Sequence, residues 1–251
     1  MESQIEKNIS GYKLIIQIEV GLREFIIASF NSSFSGIKWF STEYNFIHRK
    51  KIEDADSMRK QSVEKGWDPQ SAESIHGLYF LLLTDLKEIL LKKYKLENEV
   101  LNVFQLNRNQ LESICSGLQS IFPIRNKVAH SVYISDNEIH VLDSFLTTLS
   151  SMISDFDLLI KQPEIRRENE NRVNEIIKLA CEKMLRLEPL DEDEVNDLNH
   201  RIEFVNSKSR NIVLDLINQY VKLSKMNGSF VRLKNLIEDN TLEIIKIMND
   251  E

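Results

Sequence analysis

Three polar side chains stand close together at Arg125, Asn126 and His130, in the run PIRNKVAHS that covers residues 123 to 131. An imidazole takes up and gives away a proton near neutral pH. A guanidinium grips a phosphate or carboxylate through two parallel N–H bonds and stabilises negative charge as it develops. Together these groups suit acid–base chemistry at an anionic centre, but their spacing poses a geometric problem. If residues 124 to 130 are helical, Asn126 and His130 are four apart and share a face, whereas Arg125 and His130, five apart, diverge by roughly 140°. Either the backbone bends at Pro123, which interrupts the preceding helix or starts a new turn, or two copies of the segment converge. A plainer reading stays open: a polar cluster at a helix end caps carbonyls or is solvated. Its place between two strongly apolar helices makes an unsatisfied cluster costly.

The elements that position these residues are all helical in pattern. Ile5, Ile9, Tyr12 and Ile16, then Leu22, Phe25 and Ile26, recur at helical spacing and predict a first helix from about Ser3 to Phe30. Trp39, Phe40, Tyr44 and Ile47 predict a packed segment, followed by a polar stretch that is an exposed helix or loop. Asp68 and Pro69 open a helix whose stripe is Ile75, Tyr79, Leu82, Leu86, Ile89 and Leu90. Leu111, Ile114, Leu118 and Ile121 mark the helix that enters the polar cluster. After it, Ser135 and Glu138 form a capping box that launches a helix running to about Ile160, and Pro163 ends it or starts the next. Three further helices follow, Pro163 to about Leu187, Asp191 to Met226 and Ser229 to Met248. Val195, Leu198, Ile202, Val205, Ile212, Leu216 and Tyr220 in the second of these could extend a dimer seam or pack internally.

Composition agrees with an all-α fold. The chain has 251 residues, 42% hydrophobic and 28% charged, with seven Gly and four Pro, and shows no period-2 alternation of an amphipathic sheet. No apolar run approaches the roughly 20 residues of a membrane span, and the N-terminal run is acidic and polar, so a cytoplasmic protein with no membrane partner is expected. Cys115 and Cys181 have neither disulfide-framework nor zinc spacing and read as small apolar core residues. The net charge of −7 argues against broad binding to duplex nucleic acid, though not against a local basic cleft. P-loop, dinucleotide, zincin and EF-hand patterns are absent.

PIRNKVAHS has an Arg-x4-His arrangement with Asn directly after the Arg and Ala before the His, flanked by a capping-box helix. This closely resembles the signature of the HEPN superfamily of small helical domains. The upstream LYFLLLTDLKEILLKKY and IIQIEVGLREFI resemble that family's first helices. The likeness covers roughly residues 5 to 160, and residues 165 to 251 resemble nothing comparable. It implies a HEPN-like helical bundle over 1–163 followed by a C-terminal helical region over 164–251, for interaction or dimerisation. It also implies a metal-independent endoribonuclease without cofactor, a toxin or antiphage effector whose composite site lies in a homodimer cleft. His130 would then exchange a proton with a ribose 2′-hydroxyl or the leaving 5′-oxygen. Arg125 would hold the phosphate, Asn126 would orient His130 or a phosphate oxygen, and the product would carry a 2′,3′-cyclic phosphate. Related domains that have lost activity serve as scaffolds for a partner protein or nucleotide, which is the alternative. The toxins paired with nucleotidyltransferase antitoxins carry a Tyr two residues after the His. Here Tyr133 lies three after, which puts that regulation by an antitoxin in doubt but leaves Tyr133 able to stack on RNA.

Further residues divide between ordinary and functional readings. Glu19 and Arg23 are four apart, the spacing of a surface ion pair, or Glu19 supports the site from the first helix. Asp85 interrupts an apolar stripe and wants a partner, with Arg125 as one hypothesis. His48, Arg49, Lys50 and Lys51 form a basic cluster that could meet RNA phosphates. His48 and His76 otherwise read as ordinary, and His140 and His200 as solvated. If the whole cluster is a helix-end coincidence, the chain is a purely structural bundle.

Overall fold

The computed structural model describes residues 4–34, 49–65, 77–95, 103–201, 208–226 and 230–249. Every regular element among them is helical: α1 Gln4–Phe34, α2 Arg49–Glu64, a short 3-10 helix Gly77–Phe80, α3 Leu83–Lys95, α4 Arg108–Ala129, α5 Asp136–Met152, α6 Phe156–Leu185, α7 Glu192–Arg201, α8 Lys208–Ser224 and α9 Phe230–Asn249. The fold is all-α. No described helix is long and apolar enough to cross a membrane. The chain divides into two compact units, Met1–Gln162 and Pro163–Glu251.

In the first unit α1 is the central element, packed against α3, α4, α5 and the 3-10 helix. Its buried stripe is Ile15, Ile18, Leu22, Phe25, Ile26 and Phe30, residues three and four apart that share one face. The earlier part of the helix is helical as the spacing predicts, but its stripe is not buried. Ile5, Ile9, Tyr12 and Ile16 are 72%, 49%, 56% and 41% exposed, so this apolar stripe faces outward. The core is completed by Leu86, Ile89 and Leu90 of α3, Leu111, Ile114, Leu118 and Ile121 of α4, and Leu142, Phe145 and Leu149 of α5. Two glycines let neighbouring segments approach α1 closely. A β-carbon at Gly11 would stand 2.2 Å from Ile134 Cδ1, and one at Gly21 would stand 2.4 Å from Phe156 Cζ.

Both prolines that were expected to mark helix ends lie inside helices. Pro123 sits within α4 and Pro163 within α6. Pro123 is exposed, which explains the tolerance: the carbonyl four residues earlier loses its N–H donor on the side where water can replace it. Of the two alternatives for the geometric problem, a break of the helix at Pro123 is therefore not the one the chain uses. The helix expected to run from Ser135 to Ile160 instead stops at Met152, with Ile153 extended at φ −111° and ψ 118° and Asp155 left-handed at φ 56°. Ser and Asp favour such local turns over helix, and the break turns Phe156 into the core beside Gly21.

The second unit buries Val173, Ile176, Ile177, Cys181 and Met184 of α6 against Val195 and Leu198 of α7, Leu216, Ile217 and Tyr220 of α8, and Leu233 and Ile237 of α9. The single helix expected over Asp191–Met226 is two, α7 and α8. Asn199 and Asn218 exchange side-chain hydrogen bonds at 3.5 and 3.3 Å, whereas 19 residues of continuous helix would hold them roughly 28 Å apart. Residues 202 to 207, with Ile202 and Val205, lie outside the described residues, as do Trp39, Phe40, Tyr44, Ile47, His48, Asp68, Pro69, Ile75 and His76. Cys115 and Cys181 are free and buried, and burial pushes each thiol up to about 11.

Candidate active site

The cluster lies at the C-terminal end of α4. That helix starts with a capping box in which Asn107 accepts from the Gln110 amide at 3.0 Å and Gln110 accepts from the Asn107 amide at 2.9 Å. It ends with His130 as the capping residue and Ser131 in the left-handed region at φ 55°. The Ser131 amide donates to Val128 O at 3.0 Å and the Val132 amide to Lys127 O at 2.8 Å, the paired bonds of a Schellman ending. Glycine is the usual residue at the left-handed position, where a β-carbon costs ~1–2 kcal/mol. No Gly or Asn announces this turn in the sequence, and Ser131 passed unnoticed there.

Arg125 is half-buried on α4, and its Nε donates to Glu19 Oε1 of α1 at 3.3 Å. The other oxygen of Glu19 accepts from Arg23 Nη1 at 2.9 Å. Arg23 is buried, with Nε on Leu78 O at 3.2 Å and Nη2 on Leu81 O at 3.0 Å. Two guanidiniums therefore share one carboxylate, and Arg23 ties that carboxylate to the turn before α3. Of the two readings of Glu19 and Arg23, the surface pair is replaced by a buried one, and Glu19 meets Arg125 across helices. Because Glu19 takes only Nε, the terminal nitrogens of Arg125 remain available to an anion.

His130 and Asn126 are exposed beyond this pair. With α4 continuous through Pro123, Arg125 and His130 of one chain stay roughly 140° apart around the helix axis. Lys127, on the same turn, donates to Glu138 Oε1 at 2.6 Å, while Glu138 Oε2 takes the Ser135 amide at 2.9 Å. The capping box expected at Ser135 and Glu138 is formed, and it also pins the motif. Lys127, and then Ser135, hold the Glu138 carboxyl below its ordinary value. A depressed carboxylate contributes stability above its unfolded pKa and loses it as pH falls through the folded one. Thermal stability of the full chain is accordingly expected to drop between pH 5 and acid pH, with Glu138→Gln flattening part of that slope in melts followed by circular dichroism.

Asp85 does not pair with Arg125. Its Oδ1 takes Lys51 Nζ at 2.5 Å and its Oδ2 the Leu82 amide at 2.9 Å. As the third residue of α3 it reaches back to the capping position, a local reason for an acid in an apolar stripe. Asp85 and Glu88 hold Lys51, whose ammonium is raised above the ordinary lysine range chiefly by the Asp85 hydrogen bond. Arg49 pairs with Glu53 at 2.8 Å, so both Arg49 and Lys51 of that cluster are neutralised by neighbours, and Lys50 is exposed. Tyr133 is 48% exposed and immediately follows Val132, also 48% exposed.

A groove of about 620 Å³ opens between the start of α1 and the α4 ending, lined by Gln4, Ile5, Asn8, Ile9, Tyr12, Val128, Ala129 and Ser131. Among the described residues no group of three His, Cys, Asp or Glu side chains could hold a metal ion. No family model, curated protein or solved structure matches the chain.

Proposed function

We propose that this chain is a metal-independent endoribonuclease of HEPN type that cleaves by transphosphorylation and acts as a toxin or antiphage effector. The observation that carries the reading is Arg125 held from behind through Nε by Glu19, with its terminal nitrogens left to an anion and an exposed imidazole five residues on along the same helix. The fork suits a scissile phosphate, and His130 suits the proton on the 2′-hydroxyl or the 5′-oxygen. A second copy brings its His130 to the phosphate that the first copy's Arg125 holds, which answers the divergence along one helix. Asn126 orients the phosphate or the imidazole, and Tyr133 offers a ring to RNA.

The reading is tested by RNA cleavage with EDTA present and analysis of product ends. Cyclic phosphate ends are expected, and His130→Ala is expected to fold normally, because the residue is exposed, while losing about 10²–10⁴-fold in rate. A His130→Ala chain that cuts as fast as the parent sinks the assignment. The neutralised cations Lys51 and Arg49 favour a second reading, an inactive scaffold that binds a partner protein or nucleotide. It predicts no cleavage of any RNA by the parent.

A further inference from the structure

We infer that the groove between α1 and the α4 ending receives one unpaired nucleobase of the RNA strand, with Tyr12 as its stacking platform, an inference that rests on the ribonuclease reading. Several observations point to a base. Ala129 and Ser131, which flank His130 in the chain, form one wall, so whatever fills the groove lies against the same helix ending that carries His130. Tyr12 lines the groove with more than half of its surface exposed, and an exposed ring at a strand-binding surface is a stacking site for any base.

Among the described residues the groove's lining includes no carboxylate, although the chain carries a net charge of −7, so those walls add no negative charge of their own. The polar groups in the walls are amides and a hydroxyl, from Gln4, Asn8 and Ser131, the groups that pair with base edges. Asn8 Oδ1 is enclosed and has no hydrogen-bond donor among the described residues. Rotation about its broad terminal torsion presents that acceptor to an amino or imino N–H of a base. Ser131 holds its side chain at a left-handed position where glycine is the relaxed choice, which is consistent with a use for the hydroxyl.

The distance fits as well. α4 passes α1 in the opposite direction: Arg125 meets Glu19, and Val128 lies by Gly11. Tyr12 is seven residues before Glu19, about 10 Å along the helix. That is a step of about one to two nucleotides of extended strand from a phosphate on Arg125.

The test compares the parent with Tyr12→Ala and Tyr12→Phe, in EDTA, on a short mixed-sequence single-stranded RNA. Cleavage positions and KM are mapped, and binding of the same RNA is measured by fluorescence anisotropy on His130→Ala and on the His130→Ala/Tyr12→Ala double variant. Loss of the ring is expected to raise KM and Kd about tenfold or more and to flatten the preference at one position near the cut, with kcat less affected. Tyr12→Phe keeps the ring and keeps the preference. Unchanged KM, Kd and cleavage map in Tyr12→Ala overturn the inference, as does a parent that binds no single-stranded RNA. A fall in sedimentation mass of Tyr12→Ala also overturns it, by assigning the groove to a second copy. Tyr12-dependent binding without His130-dependent cleavage leaves the groove assignment intact and removes only the catalytic reading.

Discussion

Arg125→Ala is expected to lower kcat/KM for metal-free RNA cleavage by about 10²–10³-fold, the usual cost of removing one donor aimed at developing charge. Arg125→Lys is expected to recover little of it. A lysine carries the charge but not the fork, and it cannot donate backwards to Glu19 while presenting two parallel N–H groups to a phosphate. Folding should survive, because Arg125 makes one 3.3 Å contact and its side chain is 35% exposed. Steady-state kinetics with a denaturation curve on each variant separates the two effects. Were Arg125→Ala to cleave normally and change only its unfolding midpoint, the cluster would be a structural cap and the ribonuclease reading would fall.

Arg23→Ala should act in the opposite way, on stability first. It removes three donors at once, from the carbonyl of Leu78, which keeps the Leu81 amide, from that of Leu81 and from one oxygen of Glu19, in a region where Arg23 itself is 7% exposed. Breaking a buried charge pair from one side typically costs about 3–5 kcal/mol, and because Glu19 keeps Arg125 on its other oxygen the lower end of that range is expected. Urea denaturation of the full chain should show a correspondingly lower midpoint. Arg23→Met, close in volume, should restore packing only. A loss below about 1 kcal/mol would mean that Arg23 behaves as a surface residue, against its burial.

The features legible in the sequence were those set by neighbours a turn or two away. The α4 stripe Leu111, Ile114, Leu118 and Ile121 is buried, the Ser135 and Glu138 box is formed, and both cysteines are core residues. What escaped depends on what lies across space or across water. Pro123 does not stop its helix because its face is solvated. The outward stripe from Ile5 to Ile16 has the periodicity of a core face, and periodicity cannot say whether another element covers it. On paper Glu19 was only a support of the site from the first helix, and Asp85 was the partner offered for Arg125. Tertiary packing gives Glu19 to it, while Asp85 serves its own helix start and Lys51.

Gly11 has a consequence for how freely this surface can vary. In the middle of a helix alanine is normally preferred to glycine by about 1 kcal/mol, yet here the space of a β-carbon is already filled by Ile134 and bordered by Val128. The missing methyl works as a notch: the segment from Val128 to Ile134 seats on α1 in one setting, and with it the separation between Glu19 and the groove. A bulkier residue at this one position would lift the whole segment off α1 and disturb both ends of the surface together. Drift at Gly11 would therefore be felt by side chains it never touches, and the spacing between the arginine and the groove is inherited from a position that carries no chemistry.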